Sequence, residues 1–166
     1  IFVLLKIEKI ELRTSSKINW KDFWQHTSIK FMVIAIISIA FVWLTNKDAL
    51  FMVLLNKPKL WFIILFIYGF FSVYPQEIIY RVFFFKRYST FFKSRNLLFY
   101  VNAIVFSLGH IFFRNTLVTL LTFLGGLLFA FTFSKTKSTL LVSIEHAIYG
   151  SWLFTVGMGN MLGFPS

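Results

Sequence analysis

Five ionisable residues stand inside apolar stretches of this chain: Glu77, Arg81, His110, Glu145 and His146. Carboxylates and imidazoles are the side chains that move protons near neutral pH, and a guanidinium keeps a neighbouring carboxylate ionised. The set therefore has the parts for acid–base chemistry on a water molecule. Each member also has a purely structural reading. Glu77 and Arg81 are four apart, which places both on one helix face as an ion pair that fixes packing. His110 ends FSLGH, where Phe106, Ser107 and Gly109 turn a helix face inward, and alone it can simply hydrogen-bond a carbonyl. His146 sits in SIEHAIYG with Gly150 one turn on, leaving an opening beside the imidazole. Two His and two Glu on three apolar stretches make coincidental structural use harder to sustain than for any one of them.

The composition says what must position them. Of 166 residues, 58% are hydrophobic, 21% aromatic with 24 Phe, and only 14% charged, against about a quarter charged in ordinary soluble domains. The mean hydropathy is +0.76. These values predict an all-α, polytopic membrane helical bundle; the apolar runs give it about five transmembrane helices, and the ionisable residues inside them are expected to face a polar intramembrane cavity. With no Cys, disulfides, thiolate metal sites and thiol nucleophiles are excluded. The net charge of +11 lies mostly at the ends of apolar runs, so it anchors helices in a lipid bilayer, and no nucleic-acid partner is expected. Position 1 is Ile rather than Met, so the chain reads as a fragment or trimmed product.

Residues 1–28 form a basic, interfacial N-terminal segment, and 29–166 the membrane domain. The apolar runs are Ile29 to Leu44, Leu60 to Phe85, Leu97 to Phe113, Thr116 to Ser134 and Ser138 to about Gly157. The second is long enough to span, but Pro75 within it predicts two half helices. Gly125 and Gly126 allow a neighbouring helix to approach closely. Alternating sides across five spans puts twelve Lys and Arg on one side and Lys47, Lys57, Lys59 and Arg114 on the other. The N-terminus is thus expected in the cytoplasm. Nine residues separate Glu77 from Lys86 and nine separate Lys137 from His146, so both acid and imidazole lie about 13 Å from that face. By the same measure His110, fifteen residues past Arg95, lies about 9 Å deeper.

The order PQEIIYR, FSLGH and EHAIYG on successive spans resembles the CPBP family, the CAAX-protease and bacteriocin-processing (Abi) group of intramembrane endopeptidases. The likeness covers roughly Tyr68 to Gly157, within a core at about 60–160. The family's patterns are a Glu-Glu pair with Arg four after the second, a Phe with His four later, and a His with Asn or Asp four later. They fall here on Gln76, Glu77 and Arg81, on Phe106 and His110, and on His146 and Gly150. Gln76 and Gly150 depart from them. The resemblance implies that the first acid activates a water while the His residues orient it and stabilise the oxyanion, yet Gln cannot take a proton.

The expected function is therefore hydrolysis of a peptide bond in a membrane-tethered peptide or protein by a carboxylate-activated water. Glu77 or Glu145 is the base, His110 and His146 the orienters, and Arg81 the partner that holds Glu77 ionised. Glu145 has no basic residue four away and is slightly favoured as the replacement base. No cofactor is expected; a zinc site on Glu77, His110 and His146 has suitable donors but lacks HExxH spacing. The alternatives are a CPBP-like membrane binding or bacteriocin-immunity protein that has lost the chemistry, and a proton-coupled transporter using the same acids. The high Phe, Ile, Lys and Asn content points to a bacterial cytoplasmic membrane.

Overall fold

The computed structural model describes residues 18–162, and the first seventeen residues of the predicted interfacial segment lie outside that range. Helix α1 is Trp20–Thr45, α2 Met52–Asn56, α3 Pro58–Phe91, α4 Arg95–Leu108, α5 Thr116–Thr136 and α6 Thr139–Leu153, the last continuing through a wide turn, Phe154–Met158. No strand occurs among the described residues. Three helices, α1, α3 and α5, are long and apolar enough to cross a membrane, and α4 is a shorter apolar helix. Large apolar side chains point outward along them, Leu44 at 82%, Phe71 at 72% and Ile36 at 66% exposure. Glu77, Arg81 and Glu145 are fully enclosed. Apolar outside and ionic inside is the arrangement a lipid solvent demands.

Local chemistry explains the helix ends. Asn19 accepts from the Asp22 amide (3.1 Å), so α1 starts nine residues before the expected Ile29 and carries Lys30 into the span. Ser94, Asn115 and Ser138 cap α4, α5 and α6 in the same way, each accepting from a first-turn amide. Lys137, left-handed at φ 52°, and Ser138 are the whole connection between α5 and α6.

The prediction of two half helices at Pro75 is corrected. Helix α3 runs unbroken, about 50 Å at the usual rise, with wide π-type turns at Tyr68–Val73 and Ile78–Phe83 on either side of the proline. A proline ring clashes with the carbonyl four residues earlier, here Phe71, and the wide turn at that position gives it room without breaking the helix. The third run is corrected too: α4 stops at Leu108, and a short 3-10 turn, Ile111–Phe113, follows. His110 thus lies two residues beyond the end of the helix. A Cβ on Gly126 would sit 2.9 Å from the Ala103 Cα, so α4 and α5 pack nearly backbone to backbone, as the glycine pair implied. Ser107 Oγ donates to the Thr119 carbonyl across the same contact (2.8 Å).

Candidate active site

Helix α3 supplies Glu77 and Arg81 on adjacent turns of one face, and α6 supplies His146 against them. Glu77 Oε1 accepts from His146 Nδ1 at 2.7 Å, joining residues 69 positions apart. Arg81 Nε stands 3.3 Å from Glu77 Oε2, and Arg81 Nη1 donates to Asn102 Oδ1 on α4 (3.0 Å). The Asn102 amide in turn donates to the Tyr80 carbonyl (2.6 Å), inside the wide turn of α3. Arg81 also lies over the Phe106 ring, 4.7 Å from its centre. A buried cation is thus held by a carboxylate, an amide oxygen and a π face, which together offset its lost hydration.

The hydrogen bonds set which ring nitrogen is free. The Nδ1 of His146 faces a carboxylate, so the neutral ring donates there and keeps its Nε2 lone pair. His146 is clamped by Phe129, stacked at 4.4 Å and 23°, and by the edges of Phe106 and Tyr68. His110 Nδ1 lies 2.8 Å from the Phe106 carbonyl; a carbonyl only accepts, so this ring too presents Nε2. Phe106 touches both imidazoles, 4.8 Å from His110 and 5.6 Å from His146. The tertiary fold therefore brings Glu77, Arg81 and His146 into direct contact and His110 next to them.

Gln76 lies beside this group. Its Nε2 donates to Ser72 Oγ one turn back (2.8 Å), leaving Oε1 buried and without a hydrogen-bond partner among the described residues. Glu77 Oε2 and Arg81 Nη2 are likewise buried without a hydrogen bond among the described residues. Phe106, Phe129 and Tyr68 pack around His146, and the surface hollows at Pro58–Ile63 and at Asn96–Phe131 lie elsewhere.

Glu145 goes another way. Its Oε1 pairs with Lys30 of α1 and accepts from Tyr149 (3.0 Å), while Lys30 also donates to Thr132 (3.4 Å). The sequence rule of a partner four residues away found no cation for Glu145, because the partner is 115 positions distant. Lys30, expected at the membrane surface, is the counter-ion of this second buried carboxylate. Asn102, Tyr68 and Phe129 were also missed. Asn102 had a signal, a lone amide in the apolar run LLFYVNAIVF, which in lipid needs a partner; the two aromatics are hidden among 24 Phe and 6 Tyr.

Among the described residues no three His, Asp or Glu side chains gather closely enough to hold a metal ion.

An all-helical membrane protein whose buried carboxylate bridges an imidazole and a guanidinium has the parts of a membrane-embedded hydrolase. A family model, type II CAAX prenyl endopeptidase Rce1-like, matches residues 58–152, more than half of the chain and every residue of this site. The chain belongs to the Rce1-like family of type II CAAX prenyl endopeptidases, and so to a family of membrane proteases. No curated protein and no solved structure matches it.

Proposed function

We propose that the protein hydrolyses a peptide bond of a lipid-anchored or otherwise membrane-tethered substrate, within the membrane, with a water activated through the Glu77 carboxylate by way of His146. The observation that carries this reading is the 2.7 Å contact between Glu77 Oε1 and His146 Nδ1. A carboxylate on Nδ1 fixes the tautomer and stabilises the imidazolium, so Nε2 is able to take a proton from water. Arg81 balances the Glu77 charge, with its Nε 3.3 Å from Oε2. Gln76 Oε1 accepts a hydrogen bond from the water and orients it, and His110 Nε2 orients it from the other side. Glu145 serves α1–α6 packing in this reading, because Lys30 and Tyr149 already occupy it.

The family's description as CAAX prenyl endopeptidases favours a lipid-anchored peptide as substrate. Basic residues flanking the spans favour a cytoplasmic N-terminus, and the high Phe, Ile, Lys and Asn content favours a bacterial membrane. The test is cleavage of a membrane-tethered peptide library by purified protein in vesicles. Wild type is expected to cleave, and His146→Gln and Glu77→Gln to lower kcat at least a hundredfold while the protein stays folded. A second reading, a binding or immunity protein without chemistry, draws on Gln76, which cannot deprotonate water. It takes over if wild type and Gln76→Glu are both inert on the library while the cellular phenotype survives His110→Ala and His146→Ala.

A further inference from the structure

A carbonyl attacked by water becomes an oxyanion, and the site described so far has few donors to meet it. Arg81 is engaged with Glu77 and Asn102, Asn102 with Arg81 and the Tyr80 carbonyl, and the Gln76 amide with Ser72. A neutral donor stands against His146 itself. Tyr68, in the wide turn of α3, lies edge-on to His146 with ring centres 6.0 Å apart. Its hydroxyl fills the space beside Gly150, one helical turn after His146: a Cβ built on Gly150 would overlap Tyr68 Oη, Cζ and Cε1. No hydrogen bond engages that hydroxyl among the described residues. A side chain at 150 and the Tyr68 phenol are thus mutually exclusive, and the glycine is the condition for the phenol to reach the site.

Resting on the hydrolase reading above, we infer that Tyr68 is a catalytic residue whose Oη–H donates a hydrogen bond to the oxyanion of the tetrahedral intermediate. Water oxygen bonds to the carbonyl carbon, the carbonyl π pair moves to oxygen, and His146 Nε2 takes the water proton. Tyr68 holds the negative oxygen without giving up its own proton. When the oxyanion re-forms the carbonyl, the C–N bond breaks and the proton returns from His146 to the leaving amine. The atoms balance with water as the only co-reactant. A phenol suits the task because it is a rigid donor, fixed here by the packing of its ring against His146.

The experiment measures cleavage of the tethered peptide and, separately, binding of a tethered peptide with a phosphinate in place of the scissile amide, whose oxygens imitate the oxyanion. Removing one such donor lowers kcat by about a hundredfold to a thousandfold. Tyr68→Phe is expected to show that loss with KM within twofold, and to bind the phosphinate at least tenfold more weakly than wild type. Tyr68→Ala combined with Gly150→Asn, which sets an amide in the vacated space, is expected to recover at least tenfold over Tyr68→Ala alone. If wild type cleaves and Tyr68→Phe keeps kcat and phosphinate affinity within threefold, the assignment of Tyr68 is overturned and the hydrolase reading stands. If wild type cleaves nothing yet binds the phosphinate through Tyr68, the donor assignment is supported and the hydrolase reading falls. Absence of both cleavage and Tyr68-dependent binding overturns both.

Discussion

Replacing Arg81 by Ala removes the cation on which the buried site is balanced. The side chain has no solvent exposure, and with it go the 3.3 Å ion pair to Glu77, the 3.0 Å hydrogen bond to Asn102 and the cation over Phe106. Glu77 then remains as a buried carboxylate with His146 alone, and Asn102 Oδ1 loses its donor. Breaking a buried pair by removing one partner costs about 3–5 kcal/mol, which for a domain of this size lowers Tm by about 6–20 °C. Gln76→Ala loses one neutral hydrogen bond, to Ser72, worth about 1 kcal/mol or about 2–4 °C. The chain contains five Trp and no Cys, so intrinsic tryptophan fluorescence on heating in detergent is the suitable assay and thiol-reactive dyes are not. Neutralising the stranded acid, Glu77→Gln on top of Arg81→Ala, is expected to recover part of the loss, since the penalty belongs to an uncompensated charge. Equal melting temperatures and equal folded yields for Arg81→Ala and Gln76→Ala would refute this account of the pair.

The Lys30 and Glu145 pair is expected to behave as a stability element: Lys30→Met alone strands a fully buried carboxylate and costs about 3–5 kcal/mol, whereas Lys30→Met with Glu145→Leu recovers most of the loss, read by the same melting assay. Glu145→Gln is expected to leave kcat within threefold of wild type; a loss of a hundredfold in a folded protein would make Glu145 the base after all. Gly126→Val forces α5 away from the Ala103 Cα, 2.9 Å from any added Cβ, and is expected to lower Tm by several degrees, against little change for Gly69→Ala, where nothing lies within 4 Å. Reporter fusions after Arg95 and Lys137 are expected to report cytoplasm, and the opposite signal at both sites would invert the orientation.

Much of this protein was legible one residue at a time. An apolar, Phe-rich chain with few charges has no way to satisfy its backbone in lipid except as helices, so the all-helical class followed from composition. Glu77 and Arg81 pair because helical spacing is a local property, and the three spaced patterns in the 58–152 region were sufficient to point to the family. Lipid exposure of one face and the close approach at Gly126 likewise depend only on side-chain size and polarity. What the sequence did not contain is any distance between segments. Whether His146 meets Glu77, 69 residues away, or Glu145 meets Lys30, 115 residues away, depends on how far each helix rotates and where it starts, and a start nine residues early moved Lys30 from the surface to the interior. Pro75 read as a break because its local clash is certain, but a wide turn in the same helix absorbed it. The opening beside Gly150 was visible as a missing side chain; that the Tyr68 hydroxyl fills it is decided by packing between α3 and α6, since excluded volume between distant residues exists only once the chain is folded.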